Sequence, residues 1–412
     1  MQSKRATVRD LRRHNRSTLL STLFFDGPLS RFELGERTGL SAATVSNVTG
    51  EMVDERLITE AGFVESDGGR PRVLLRVDPG YSRVIGVDVG ETGVTIELFD
   101  LAMVRLATVD RPLADTHPDP VVVSAEITAG VREILARSDI ADDDVLGVGL
   151  AVPGTVEQGD TVRVHAQTVG WDGVPLVELL SSAGLELPLF VENGAKTLGQ
   201  AEMWFGAGRG ARHAVIALIG SGVGATVVTD GSTYRGVTSS AGEWGHTTLV
   251  YGDRPCRCGS RGCLEAYVGA EGILDRYRRA RGGRAIPRPD EQSQLDFLIA
   301  AADRSRTAAR ILTETVGYLG AGIANLINLF NPERIVLGGW AGLALGTRLL
   351  PDIRTATAVH ALRYAYEQTS IELGTLGPDA VAVGAATLPV AALLTAGADP
   401  RDRTVRRGAP LS

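Results

Sequence analysis

At 412 residues, with 44% hydrophobic and 22% charged side chains, the chain has room for two to four domains with substantial cores, and its composition is that of a soluble globular protein. A formal charge of −7 excludes a protein that coats nucleic acid or membrane along its whole length, but leaves room for a local basic reader. No secretory apolar segment follows a basic start, and the most apolar stretches, such as 214–228, are short and broken by glycine; the expected compartment is the cytoplasm, with no membrane partner.

Up to Asp78 there are 12 basic and 11 acidic residues, so the first segment is slightly positive while the remainder carries the negative charge. Six of those basic residues fall between Lys4 and Arg16, a basic arm at the end of an acidic protein. Leu11, Leu19, Leu20, Leu23 and Phe24 recur at helical spacing and are expected to form the buried stripe of a first helix stopped by Gly27-Pro28. Ser30 and Glu33 have the spacing of a capping box and open a short second helix ending near Gly39. Ser41 caps a third, running through SAATVSNVTGEMVDERLI. Val45, Val48, Met52 and Val53 share its apolar face, while Ala43, Asn47 and Gly50 point the other way with Thr44 and Ser46 on the flanks. An outward face this small and polar suits base edges better than solvent, which would favour Lys and Glu. Two strands, LITEAGFVES and RPRVLLRV, follow around Asp67-Gly68-Gly69.

Helix, helix, helix, hairpin is the order of a winged helix-turn-helix. The third helix would enter a major groove through Ala43, Thr44, Ser46 and Asn47, with Arg70 and Arg72 of the wing on phosphates or in the minor groove. A three-helix module for protein contacts is the alternative.

Beyond residue 80 the texture is α/β. VIGVDVGETGVTIELFDL reads as two strands about a glycine turn, in which Asp88 could hold hydrated Mg²⁺ and the N–H groups of residues 90–92 could cradle a phosphate. A similar pattern recurs in VIALIGSGVGATVVTD, which suggests two related lobes closing on a cleft. IANLINLFNPERIVLGGW adds a helix, a turn and a buried strand ending in Gly338-Gly339. Between these lies GEWGHTTLVYGDRPCRCGSRGCLE. All three cysteines of the chain are in it, which rules out a disulfide scaffold; His246, Cys256, Cys258 and Cys263 instead compose a closed tetrahedral zinc site of structural type.

The strings GEWGH, CRCGSRGCLE, LGVGLAVPGTVE, VGWDGVPL and VLGGW resemble the ROK family of sugar kinases and sugar-responsive repressors, and the N-terminal module resembles its repressor branch. The resemblance implies an α/β, two-lobed, actin-like ATPase fold behind the winged module. Residues 1–80 would bind DNA, 81–193 form the first lobe, 194–379 the second with the zinc loop, a helix from about 380 to 395 would complete the first, and 396–412 would be a flexible tail. It also implies sugar contacts at Gly154, Asn193, Glu243, His246 and Glu265. Family kinases carry an Asn-Asp pair whose Asp is the general base; here Asn193 is followed by Gly194, so no catalytic residue is expected. In the phosphate turn Glu91 and Gly93 replace a Gly and a Lys, so a carboxylate without an offsetting cation would repel the phosphates of ATP, which counts against binding of ATP and its Mg²⁺.

The expectation is a repressor of carbohydrate genes. It would bind a pseudo-palindromic double-stranded operator as a homodimer or homotetramer and respond to a sugar or sugar derivative. A sugar kinase with an appended DNA-binding domain is the alternative.

Overall fold

The computed structural model describes residues 7–65, 71–114, 117–159 and 161–398. Helix α1 (Val8–Asp26) starts at Thr7, whose side chain and that of Asp10 form a capping box. After the two-residue strand β1 (Leu29–Ser30), the second box at Ser30 and Glu33 opens α2 (Arg31–Thr38), which ends on Gly39 in the left-handed conformation. Helix α3 (Ala42–Asp54) is capped by Ser41 and stops four residues sooner than the sequence suggests, because Arg56 takes a positive φ of 60° and turns the chain into a strand. That strand, β2 (Ile58–Val64), pairs antiparallel with β3 (Arg72–Val77), and β1 closes the three-stranded sheet on the other side of β3. The hairpin turn, with Arg70, lies outside the described residues.

Leu19, Leu20, Leu23, Leu34, Val45, Val48 and Met52 form the core of this module, whereas Leu11 is 54% exposed: it lies near the open end of α1, beyond reach of the sheet. The basic arm is also partly committed. Arg12 pairs with Glu51 at 2.8 Å and the buried Arg16 with Glu55 at 2.6 Å, so these two cations brace α1 against the end of α3 and are not free for phosphates.

The first lobe is built on β4 (Arg83–Val89), β5 (Gly93–Asp100), β6 (Arg105–Pro112), helix α4 (Pro120–Ser138) and β7 (Val145–Val152). A small antiparallel sheet follows: β8 (Thr155–Glu157), β9 (Arg163–Ala166) and β10 (Trp171–Val174). Helix α5 (Leu176–Ser182) leads to β11 (Leu189–Asn193), which completes a five-stranded sheet in the order β11-β7-β4-β5-β6. Helix α6 (Gly194–Phe205) then crosses to the second lobe, with β12 (Ala214–Ile219), β13 (Val223–Thr229) and β14 (Ser232–Thr233). The metal-loop region runs into helices α7 (Glu265–Val268), α8 (Ala270–Ala280), α9 (Glu291–Ala301) and α10 (Arg306–Phe330). Strand β15 (Arg334–Gly338), helices α11 (Trp340–His360) and α12 (Arg363–Glu367) and strand β16 (Ser370–Leu373) close a second five-stranded sheet, β14-β13-β12-β15-β16.

Helix α13 (Ala380–Ala396) returns to the first lobe. It lies so close to the sheet that a Cβ on Gly86 would sit 2.0 Å from Ala382 O, and one on Gly149 1.8 Å from Ala385 O; glycine is required at both crossings. Leu393, Leu394 and Ala398 share one core with α1 and α3, and Arg16 donates to the carbonyls of Gly397 and Ala398 at 2.8 and 3.2 Å. Residues 396–398, expected to begin a loose tail, are therefore packed structure; 399–412 lie outside the described residues. No described helix is long and apolar enough to cross a membrane.

Candidate functional site

On α3, Ala43, Ser46 and Asn47 are exposed and Thr44 half-buried, opposite a buried face of Val45, Val48, Thr49 and Met52. Thr49 is inward because its hydroxyl donates to Val45 O and accepts from Arg31 Nε, which locks α2 onto α3. Apart from its own helix backbone and chain neighbours, no atom of the described residues comes within 4 Å of a Cβ built on Gly50, so nothing among them requires glycine there. Arg72 is exposed with its guanidinium 4.3 Å above the Phe32 ring, at the base of the wing.

The two glycine turns face each other across the cleft and close alike: Gly90 N donates to Gly93 O and Gly220 N to Gly222 O, both at 2.9 Å. Gly90's N–H is thus committed inside its own turn and does not join the phosphate cradle expected from the sequence. Asp88 sits at the end of β4, and burial, with Asp379 and Glu97 nearby, pushes its carboxyl up to about 7. Glu91 departs from expectation. It has a cation after all, Arg257 of the second lobe, at 2.5 Å.

Gly154 has φ of +74° and a Cβ there would meet His165 O at 2.1 Å, so the turn between β7 and β8, packed against β9, admits no other residue at this position. Its carbonyl accepts from Asn193 Nδ2 at 2.6 Å, while Asn193 Oδ1 caps α6 by accepting from Ala195 N and Lys196 N. Gly194 begins that helix, and a Cβ added to it would make only ordinary contacts, the nearest at 3.8 Å, so the site has room for the missing carboxylate. Glu243 and His246 share a short 3₁₀ turn, and burial raises the Glu243 carboxyl against the opposing pull of Lys196 and His246. Glu265 is buried, accepting from Val223 N at 2.9 Å with its other oxygen 3.8 Å from Cys256 Sγ. The five expected sugar contacts thus form two groups, Gly154 with Asn193 and Glu243 with His246 and Glu265.

Sequence reasoning passes over the residues between and beside these groups. Lys196, buried, donates to Ser239 O at 2.6 Å, and burial lowers its ammonium against the pull of Glu192 and Glu243. Arg235 pairs with the buried Glu192. These cations fasten the loop after β14 onto the β11–α6 junction, beside a cavity of about 760 Å³ lined by Thr155, Glu157, His165, Glu192, Arg235 and Ser239. A volume of that order suits a small molecule. The only local signals are a lysine inside a capped helix and the Glu before Asn193.

The donor atoms of His246, Cys256, Cys258 and Cys263 all lie within 4.8 Å of one another. Cys258 Sγ is 3.8 Å from Cys263 Sγ, and Cys256 Sγ 3.7 Å from His246 Nδ1. Donors about 2.3 Å from a tetrahedral zinc would stand about 3.8 Å apart, so the set fits such an ion with no position left for water. Burial pushes the Cys256 and Cys263 thiols up, and a cation at their centre would reverse that.

Residues 84–391 match the model of the ROK family. A xylose repressor from Caldicellulosiruptor bescii is 26% identical over 393 residues, 93% of this chain and 97% of that one. A glucokinase from Halalkalibacterium halodurans is 33% identical over 312 residues, 73% of this chain and 92% of its own. Among solved structures, a ROK family transcriptional regulator homologous to the E. coli MLC protein superposes with a TM-score of 0.76 at 25% identity, covering 94% of this chain and 97% of that one.

Proposed function

The chain belongs to the ROK family, and from that membership we propose that it is a transcriptional regulator of carbohydrate genes, a repressor whose operator affinity is set by a sugar or sugar-derived effector. The observation that carries this reading is the exposed, small and polar face of α3, with Ala43, Ser46 and Asn47 outward, on a module that shares its core with α13 of the kinase-like body. A relative named as a xylose repressor and a solved structure named as a ROK family transcriptional regulator, each matching nearly the whole chain, support it. Gly194 in place of the kinase base supports a binding role for the cleft over phosphoryl transfer.

In this reading two copies place two α3 helices in successive major grooves of a pseudo-palindrome, with Arg72 on the backbone. The effector occupies the cleft near Gly154, Asn193 and Glu243, where carboxylates and amides can each engage two hydroxyls. Zinc, when bound by His246, Cys256, Cys258 and Cys263, supplies a fixed tetrahedral node. The protein's own part is to carry Glu265 and Arg257 on the loop so fixed.

The test is genome-wide mapping of bound DNA, then titration of the recovered operator with aldoses, amino sugars and sugar phosphates. Specific sites whose occupancy shifts with one of these compounds are expected; occupancy indifferent to all of them, or no specific site, overturns the reading. Metal analysis should give one zinc per chain, lost in Cys258→Ser.

A further inference from the structure

Gly222, in the glycine turn of the second lobe, is the meeting point of three charged side chains. A Cβ built there would lie 3.1 Å from Glu265 Oε2, 3.6 Å from an Arg257 terminal nitrogen and 3.8 Å from Glu91 Oε1. Glu91 comes from the β4–β5 turn of the first lobe, the other two from the second. Arg257 engages Glu265 at 3.3 Å, Glu271 at 3.2 Å and Ser221 O at 3.5 Å within its own lobe, and reaches Glu91 at 2.5 Å across the cleft. The contact is partly sheltered, with the Glu91 side chain 15% and that of Arg257 24% exposed, so solvent and salt screen it less than an open surface pair. Arg257 stands between Cys256 and Cys258, so the loop conformation that brings the metal donors together also aims its guanidinium.

We infer that Arg257 is an inter-lobe clasp: seated by the metal loop, it ties the Glu91 turn to the second lobe and holds the cleft closed where a kinase would hold nucleotide phosphates. The carboxylate that a phosphate site would reject serves here as its internal occupant. Removing Glu91 leaves Arg257 satisfied by Glu265 and Glu271, so the cross-lobe bond can be cut without disturbing the second lobe. Removing Arg257 is harsher, since it leaves three carboxylates facing one another. The role assigned to the metal rests on the zinc reading above; the clasp itself does not, and the experiment separates the two.

Amide hydrogen exchange is followed by mass spectrometry on the full-length metal-loaded protein, on Glu91→Gln, on Arg257→Ala and on the unaltered protein after chelation, with metal content measured for each. In Glu91→Gln, exchange should rise about tenfold in both segments 88–94 and 219–224, on opposite lobes, at unchanged metal content. Arg257→Ala should do at least as much. Chelation should loosen both segments as well. A rise confined to one lobe, or none in either, in Glu91→Gln overturns the clasp. If chelation leaves 88–94 unchanged, the metal loop does not seat Arg257 and that half of the inference falls alone.

Discussion

Helices α3 and α6 are nearly the same length, 13 and 12 residues, and both begin on a short polar cap, Ser41 and Asn193. One turns half its surface to solvent; the other buries Ala195, Lys196, Thr197, Leu198, Gly199, Ala201 and Glu202 between two lobes and α13. A helix that keeps Ala43, Ser46 and Asn47 in the open is built to be completed by something outside the molecule. A helix with a buried lysine and a buried glutamate, each hydrogen-bonded, is completed from within.

Substitutions should separate the two. The largest effect is expected inside: a Cβ on Gly199 would come within 2.5 Å of the Thr226 side chain, so Gly199→Leu should overpack the α6–β13 contact and cost roughly 3 kcal/mol, read as a lowered Tm. On α3, Asn47→Ala should leave the folding stability within about 0.5 kcal/mol of the unaltered protein while removing about 1–3 kcal/mol of discrimination at one operator base pair, measured by competition binding. A lowered Tm there would mean that α3 is held from within too.

The buried side of the molecule should also be the one that titrates. Asp88, raised from 3.8 to about 7, binds its proton more tightly folded than unfolded. Its contribution to stability is full below 3.8 and is lost as pH rises to about 7. Asp88→Asn should flatten that part of the Tm–pH curve, gaining on the unaltered protein at pH 7.5 and little near pH 4. The smallest effect belongs to the wing. Arg72→Gln should reduce the slope of log affinity against log salt by about 0.9 and weaken all sequences evenly.

Local chemistry is legible in the sequence and long-range pairing is not. The capping box at Ser30 and Glu33, the glycine turns and the quartet of His246, Cys256, Cys258 and Cys263 each declare themselves within a short stretch, and the resemblance to a two-lobed family supplies the assembly. Arg257 lies inside the same cysteine loop yet carries no mark of its role, because its partner Glu91 is 166 positions away and no spacing rule joins them. For the same reason Glu91 reads as a repulsive defect, and Arg16 as part of a free basic arm when its partners are Glu55 and the end of α13.

The two ends of α6 touch different worlds. At its start Asn193 holds the Gly154 turn beside the cleft; near its end Trp204 packs edge-on against Phe24 and Phe25 of α1, ring centroids 5.8 and 4.9 Å away, and Arg209 just beyond donates to Phe25 O. The helix is therefore a rigid lever arm about 18 Å long, with one end at the Gly154 turn beside the cleft and its tip in an aromatic socket of the N-terminal module. A rotation of about 10° at the cap sweeps the tip by about 3 Å, more than a close-packed socket absorbs, so α1 must travel with it.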